Sequence, residues 1–273
     1  GEGDKEGSDH VFGNTISFGF IVNIIALGVI FLNIDGFLAM FGANADVVGY
    51  AADYLRIILL GFIFQMMSFI LMNFVRTEGQ PILSMISMIT STVVNIILDY
   101  VFIMVLDMGV EGAAYATIIG QSFGFAILLS FYIRGKSHLK FHLRDFIPDV
   151  NVVKDIVAIG FSSCVSVLGT SVTMVVMNRY LGLFGGTAAI TSMGAINSLF
   201  SFILMPLMGI TQGIQPIMGY NHGAKQPARV RKTLLYGIVT GSVFSLFIFS
   251  IMMLNADTFV GVFLENDATI AMA

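Results

Sequence analysis

The stretch from Pro81 to Leu106 reads PILSMISMITSTVVNIILDYVFIMVL and contains a single charged residue, Asp99. A helix needs about 20 mostly apolar residues to cross the hydrocarbon core of a bilayer. This stretch is long enough, and it is interrupted by only one charge. It therefore predicts a membrane-spanning helix and indicates an integral membrane protein.

The composition of the whole chain points the same way. Of its 273 residues, 56% are hydrophobic and 11% are charged, whereas a soluble domain carries about 25% charged residues. The net charge of −4 gives no reason to expect nucleic acid as a partner. A single cysteine, Cys164, excludes an intrachain disulfide and a cysteine-built metal site. We expect no resident metal and no cofactor.

Spanning stretches recur along the chain. They lie approximately at 11–34, 50–75, 81–106, 110–133, 153–179, 187–217 and 233–254. Each is a long continuous apolar run, whereas strands of a membrane β-barrel are about 10 residues long and alternate in hydrophobicity. The chain is therefore predicted to be an all-α, polytopic bundle of seven transmembrane helices.

The basic residues predict the orientation of these helices. With seven spans, 11 of the 13 Lys and Arg residues fall on one side, and the other two, Arg56 and Arg179, lie inside spans near the opposite face. Loops rich in Lys and Arg stay in the cytoplasm. We expect a multi-pass protein of the plasma membrane whose loops 134–152 and 218–232 are cytoplasmic.

An internal repeat predicts the domain organisation. Asn33, Asp35, Phe37, Phe41 and Asn44 recur as Asn255, Asp257, Phe259, Phe263 and Asn266, always 222 residues later. Both copies follow a cytoplasmic segment and run outward, so the repeat is parallel. We expect part of an N-terminal lobe at 1–133, a cytoplasmic linker at 134–152 and part of a C-terminal lobe at 153–273, taken from a longer protein with two six-helix lobes.

Asp99 is the clearest functional candidate because a charged side chain deep in a bilayer costs about 2.5–3.5 kcal/mol on insertion scales. It must be protonated, hold a cation or reach a water-filled cavity. A polar stripe leads to it along one face of the same helix: Ser84, Ser87, Ser91, Asn95 and Asp99. We expect the serines to form hydrogen bonds between helices, and Asn95 with Asp99 to carry function. On the next helix, Gly112, Ala116, Gly120 and Gly124 predict close helix packing.

Four motifs resemble the multidrug and toxic compound extrusion (MATE) family of efflux transporters. They are GEGD at 1–4, NIILD at 95–99, GVEGAAYAT at 109–117 with Gln121, and GITQGIQPIMGYNHGA at 209–224 followed by Arg229-Val230-Arg231. The resemblance covers essentially the whole chain. It makes the seven helices the third to ninth of that family, in agreement with the truncation that the repeat predicts.

The resemblance implies an antiporter that exports drugs and lipophilic organic cations by alternating access, coupled to inward flow of Na⁺ or H⁺. It implies ion-binding roles for Asn95, Asp99 and Thr117, and we expect a monomer embedded in the lipid bilayer. These roles are those of the family branch that binds its ion in the N-terminal lobe. That branch also uses an acid on its first span, and this sequence does not contain that span. Candidates for the substrate cavity are uncharged polar residues of the spans: Gln121, Thr170, Asn197, Gln212 and Gln215.

Two other functions make different demands on the residues of the spans. A lipid-linked saccharide flippase of the same superfamily should line its cavity with Arg or Lys to hold lipid phosphates. Away from the predicted cytoplasmic ends, the spans contain only Arg56 and Arg179. An intramembrane enzyme needs a second catalytic group at depth, and no histidine lies within a span. The sequence therefore favours an exporter, with the flippase as the alternative, and predicts that the protein is not an enzyme.

Overall fold

The computed structural model describes residues 4–40, 45–140 and 147–254. The described part of the chain is helical and contains no strand. The helices are α1 (Lys5–Leu32), α2 (Ile34–Met40), α3 (Ala45–Thr77), α4 (Pro81–Asp99), α5 (Gly109–Ile133), α6 (Val150–Gly223) and α7 (Pro227–Leu254), and a π-helical segment, Tyr100–Val105, continues α4. The predicted all-α class is confirmed.

The described residues include seven helical stretches that are long and apolar enough to cross a membrane. They are Lys5–Leu32, Ala51–Thr77, Pro81–Val105, Gly109–Ile133, Val150–Gly186, Ser192–Gly223 and Pro227–Leu254. Each corresponds to one of the predicted spans, which are therefore confirmed. The second copy of the repeat, from Asn255 to Asn266, and residues 1–3 of the GEGD motif lie outside the described residues.

Helix α1 begins earlier than the hydrophobicity alone predicts. Asp4 caps it, because its Oδ1 accepts a hydrogen bond of 2.9 Å from the backbone N–H of Gly7. An Asp at this position satisfies a backbone donor that the first helical turn leaves free. The N-terminal end of α1 therefore extends past the apolar run into the polar residues that precede it.

The chain divides into two compact units, one of which covers residues 3–156 and the other mainly residues 157–273. In the first unit, α3 and α4 pack against α5, and α1 packs against α3. One end of this bundle holds a cluster of buried apolar side chains: Phe12, Leu71, Val75, Leu128 and Phe131. Phe12 also stacks on Tyr132 with 4.9 Å between ring centroids, so the cluster joins α1 to α3 and α5.

The second unit consists of most of α6 together with α7. The range of α6 comprises two helices that meet at a kink, and the non-helical residue at this kink is Gly186, with φ 63° and ψ −159°. Helix α7 contacts α6 at Gly237, where a Cβ would meet Ile214. Most side chains of α6 between Val157 and Tyr180 are exposed and apolar within this unit.

We predict that Gly186→Ala destabilises the protein by about 1–3 kcal/mol, because a residue with a Cβ cannot adopt this backbone conformation without strain. The measurement is the midpoint of thermal unfolding of the purified protein in detergent. Gly169→Ala on the same helix is the matched control, since nothing lies within 4 Å of the position that its Cβ would take and alanine favours helix. Equal midpoints for the two variants would contradict the prediction.

Candidate functional site

Asp99 is the last residue of α4, where the helix widens into the π-helical segment Tyr100–Val105. Its Oδ1 is buried and has no hydrogen-bond partner among the described residues. A buried polar atom without a partner costs about 1–3 kcal/mol. Segments of π-helix within α-helices occur frequently at functional sites. The structure therefore places an unsatisfied carboxyl oxygen at a local irregularity of a membrane-spanning helix.

Asn95 and Thr117 are brought together by the packing of α4 on α5. The Asn95 side-chain amide donates to Thr117 Oγ1 at 3.4 Å, and the Thr117 hydroxyl donates to the backbone oxygen of Ala113 at 2.9 Å. Asn95 lies one helical turn before Asp99 on the same face of α4. A carboxylate, an amide oxygen and a hydroxyl oxygen are all oxygen donors, the type that hard cations prefer.

The two helices approach closely because α5 carries glycine where it meets α4. A Cβ on Gly120 would lie 2.6 Å from the backbone oxygen of Ser91 and 3.0 Å from the Cβ of Asn95. A Cβ on Gly124 would lie 3.1 Å from the Cβ of Ser91. The predicted close packing is therefore confirmed at Gly120 and Gly124, and it sets the distance between Asn95 and Thr117.

The serines before Asn95 bind neighbouring helices. Ser84 Oγ donates to the backbone oxygen of Met72 on α3 at 3.1 Å. Ser87 Oγ donates to the backbone oxygen of Gly124 on α5 at 2.8 Å. Both serines are buried. The prediction that the serines of this stripe form interhelical hydrogen bonds is confirmed for these two residues.

The candidates for a substrate cavity divide between the two units. Gln121 is half-buried on α5, one turn after Thr117. The other four, Thr170, Asn197, Gln212 and Gln215, lie on α6 in the second unit. Thr170 donates to the backbone oxygen of Ser166 in its own helix at 3.0 Å, and the amide of Asn197 lies 3.9 Å from Met174 Sδ. The cavity that these residues would share stays a prediction.

Sequence reasoning missed Asn23, which is 1% exposed on α1. Its amide nitrogen donates to Met66 Sδ at 3.4 Å, and its Oδ1 has no partner among the described residues. The signal that could have found it is a lone amide in the apolar run 20–32. Within the described residues, no group of three or more His, Cys, Asp or Glu could hold a metal ion.

The profile of the MatE family matches residues 1–101 and 159–273. Together with the seven spanning helices, this match places the chain in a family of membrane transporters. The chain belongs to the MatE family, the family of multidrug and toxic compound extrusion transporters. The resemblance that the four sequence motifs indicate is therefore confirmed.

Similar proteins include curated multidrug exporters and a solved transporter structure. The multidrug export protein MepA of Staphylococcus saprophyticus is 28% identical over 255 residues, which is 93% of this chain and 56% of that protein. MepA of Staphylococcus haemolyticus is 28% identical over 97% of this chain and 59% of that protein. A multidrug resistance MATE family transporter in an outward-facing conformation has 25% identity and a TM-score of 0.91, and the match covers 98% of this chain and 60% of that one. The chain thus spans a little over half the length of these relatives.

We predict that Gly120→Ala destabilises the protein by about 1–3 kcal/mol, because the added methyl group meets the Ser91 carbonyl, a backbone atom, and must push α4 away from α5. The midpoint of thermal unfolding in detergent measures the effect. Gly28→Ala on α1 is the control, since its Cβ position is open within 4 Å. A Gly120→Ala midpoint no lower than that of Gly28→Ala would show that the α4–α5 contact tolerates a wider spacing.

Proposed function

We propose that the complete protein is a cation-coupled antiporter that exports drugs and lipophilic organic cations by alternating access, driven by Na⁺ or H⁺. The observation that carries this proposal is the buried Oδ1 of Asp99, which lacks a hydrogen-bond partner among the described residues of a MatE family member. Asn95 and Thr117 complete the proposed ion-binding set. The protein acts as a monomer in the plasma membrane, catalyses no chemical reaction and needs no cofactor besides the coupling ion.

The chemistry of Asp99 supports coupling to an ion. An ionised carboxylate in an apolar region is unfavourable unless it is paired. A bound Na⁺ or a proton removes that penalty, and its release restores it. The stability of one transporter conformation relative to another then depends on whether the ion is bound, provided that the conformations differ in affinity. This dependence is what an exchanger requires.

The proposed substrate class rests on the relatives and on the residue types of the candidate cavity. The relatives are named multidrug export proteins. Gln121, Thr170, Asn197, Gln212 and Gln215 are uncharged, and the chain is rich in Phe and Met, 25 and 17 residues respectively. Flexible, Met-rich surfaces adapt to varied ligand shapes. Such a cavity suits bulky, lipophilic compounds better than one specific metabolite.

An ion pair of Arg56 argues against the flippase alternative. Of the two arginines that could hold a lipid phosphate, Arg56 donates to Asp53 Oδ1 at 3.1 Å. Its charge is therefore already partly compensated by a carboxylate. A flippase for anionic lipids would need basic side chains that are free to bind the phosphate.

Expression of the complete reading frame in an efflux-deficient bacterial strain tests the transport activity. We expect lower accumulation of ethidium than in cells with an empty vector, and collapse of the ion gradients should abolish the difference. Immunodetection in the membrane fraction is the control for expression. Unchanged accumulation of every compound in a broad dye panel, in cells that make the protein, would refute the drug-export proposal.

We predict that Asp99→Asn abolishes ion-driven export, because the nearly isosteric amide carries no charge for Na⁺ and releases no proton. Asn95→Ala and Thr117→Ala should have smaller effects, since each removes a neutral ligand. Initial export rates as a function of Na⁺ concentration and pH measure the change. Asp107→Asn is the matched control, because Asp107 is exposed and lies outside the spans. Wild-type rates with unchanged ion dependence in Asp99→Asn would make Asp99 structural.

A further inference from the structure

The connection between α5 and α6, residues 134–149, is called the linker below. The structure describes its beginning, up to Lys140, and its end, from Ile147. The beginning is bound by Glu78, the residue that follows α3, and by a side chain of α1. The end is bound by side chains of α1. All of these contacts lie inside the first compact unit.

Glu78 holds the beginning of the linker. Both of its carboxylate oxygens lie 2.8 Å from Ser137 Oγ, which donates to them, and Oε2 also accepts the backbone N–H of His138 at 2.7 Å. Hydrogen bonds to an ionised carboxylate are roughly twice as strong as those between neutral groups. Glu78 therefore binds two consecutive linker residues.

Two buried side chains of α1 bind further linker groups. Asp9, which is 6% exposed, accepts the backbone N–H of Lys140 at 2.9 Å. Asn14, which is 0% exposed, accepts the backbone N–H of Asp149 through Oδ1 and donates to the backbone oxygen of His10. Buried polar side chains are unfavourable unless they are hydrogen-bonded, and the linker supplies a partner for the carboxylate of Asp9 and for the Oδ1 of Asn14.

An apolar contact accompanies the polar ones. Leu139 lies between His138 and Lys140, whose N–H groups are both bound, and it packs against the cluster that contains Phe12 and Phe131. The backbone is thus held by carboxylates while the intervening side chain is half-buried against apolar residues. Polar and apolar contacts at successive residues determine the register of the linker on the bundle.

Asp149 connects the linker to α6. Its carboxylate accepts the backbone N–H of Asn151 at 2.8 Å and lies 3.4 Å from His10 Nε2. The hydrogen bond from Asn151, together with His10, lowers the pKa of this carboxyl below its ordinary value. The carboxylate therefore stays ionised near neutral pH and caps the first turn of α6. Because the N–H of Asp149 is bound to Asn14, the start of α6 is attached to α1.

We infer that Asp9, Asn14 and Glu78 form a linker dock, a set of positioning residues that holds the connection between α5 and α6 on the first unit during transport. They touch neither the coupling ion nor the drug. The inference rests on the proposed function, since the position of the linker affects transport only if the two halves move against each other. If the stretch 134–149 were a flexible chain without these contacts, its ends would lie about 20 Å apart on average, and the direction from one end to the other would vary. The dock attaches the start of α6 to the first unit, so that α6 moves from a fixed position.

Hydrogen–deuterium exchange of the purified full-length protein tests the dock independently of transport. In Asp9→Ala and Glu78→Ala, we expect the peptide covering 134–140 to exchange about 10-fold faster than in the wild type, as loss of a charge-assisted hydrogen bond predicts. Asp155→Ala is the matched control, because it removes an exposed acid near the start of α6. Exchange that is unchanged in Asp9→Ala and Glu78→Ala would overturn the dock.

Dye export by the same variants tests the positioning role. We expect a maximum rate roughly 3- to 10-fold lower, with KM and the dependence on Na⁺ and pH unchanged, because the variants slow a conformational step. Glu78→Gln keeps an acceptor oxygen and should restore most of the rate. Faster exchange of the linker with wild-type export in Asp9→Ala and Glu78→Ala would refute the positioning role. If the wild type exports nothing, the proposed function and this transport role both fail, whereas the exchange result alone decides whether the dock exists.

Discussion

The close approach of α4 and α5 at Gly120 is the contact on which the candidate site depends. In a bilayer, lipid chains are as apolar as leucine, so helices associate through tight packing and interhelical hydrogen bonds more than through the hydrophobic effect. Glycine at this contact lets the Ser91 backbone come near α5, and the same spacing allows Asn95 to reach Thr117. The packing of the bundle and the geometry of the site therefore have one physical origin.

Polar residues of the first unit have three different roles, which their partners distinguish. Ser84 and Ser87 are satisfied by backbone oxygens of neighbouring helices and hold the bundle together. Asp9 and Asn14 are satisfied by backbone groups of the connection to α6. Asp99 retains a buried oxygen without a partner in the described residues. In a low-dielectric environment each unsatisfied polar atom is costly, which singles out Asp99 among the membrane-embedded acids.

Much of the architecture could be predicted because the bilayer imposes simple requirements. Length and hydrophobicity identified the seven spans, since a helix satisfies its own backbone hydrogen bonds in lipid. The spacing of Ser84 and Ser87 predicted that both lie on one helix face and form hydrogen bonds to neighbouring helices, as observed. The pairing of Asn95 with Thr117 was expected from the family resemblance and not from spacing, because residues on different helices meet only through packing. The kink at Gly186 falls in the interval between the fifth and sixth predicted spans, whereas its left-handed backbone conformation was not predicted.

The sequence by itself determined the membrane class, the number of spans and the candidacy of Asp99, because these properties depend on local composition and on the cost of a charge in hydrocarbon. Only the tertiary structure decided which polar side chains lack partners and which bind distant segments. Glu78 and Ser137 are 59 residues apart in the chain, and Asn14 and Asp149 are 135 residues apart. No local pattern encodes such pairs, since they form only when α1, α3 and α5 have packed and the connection to α6 lies against them.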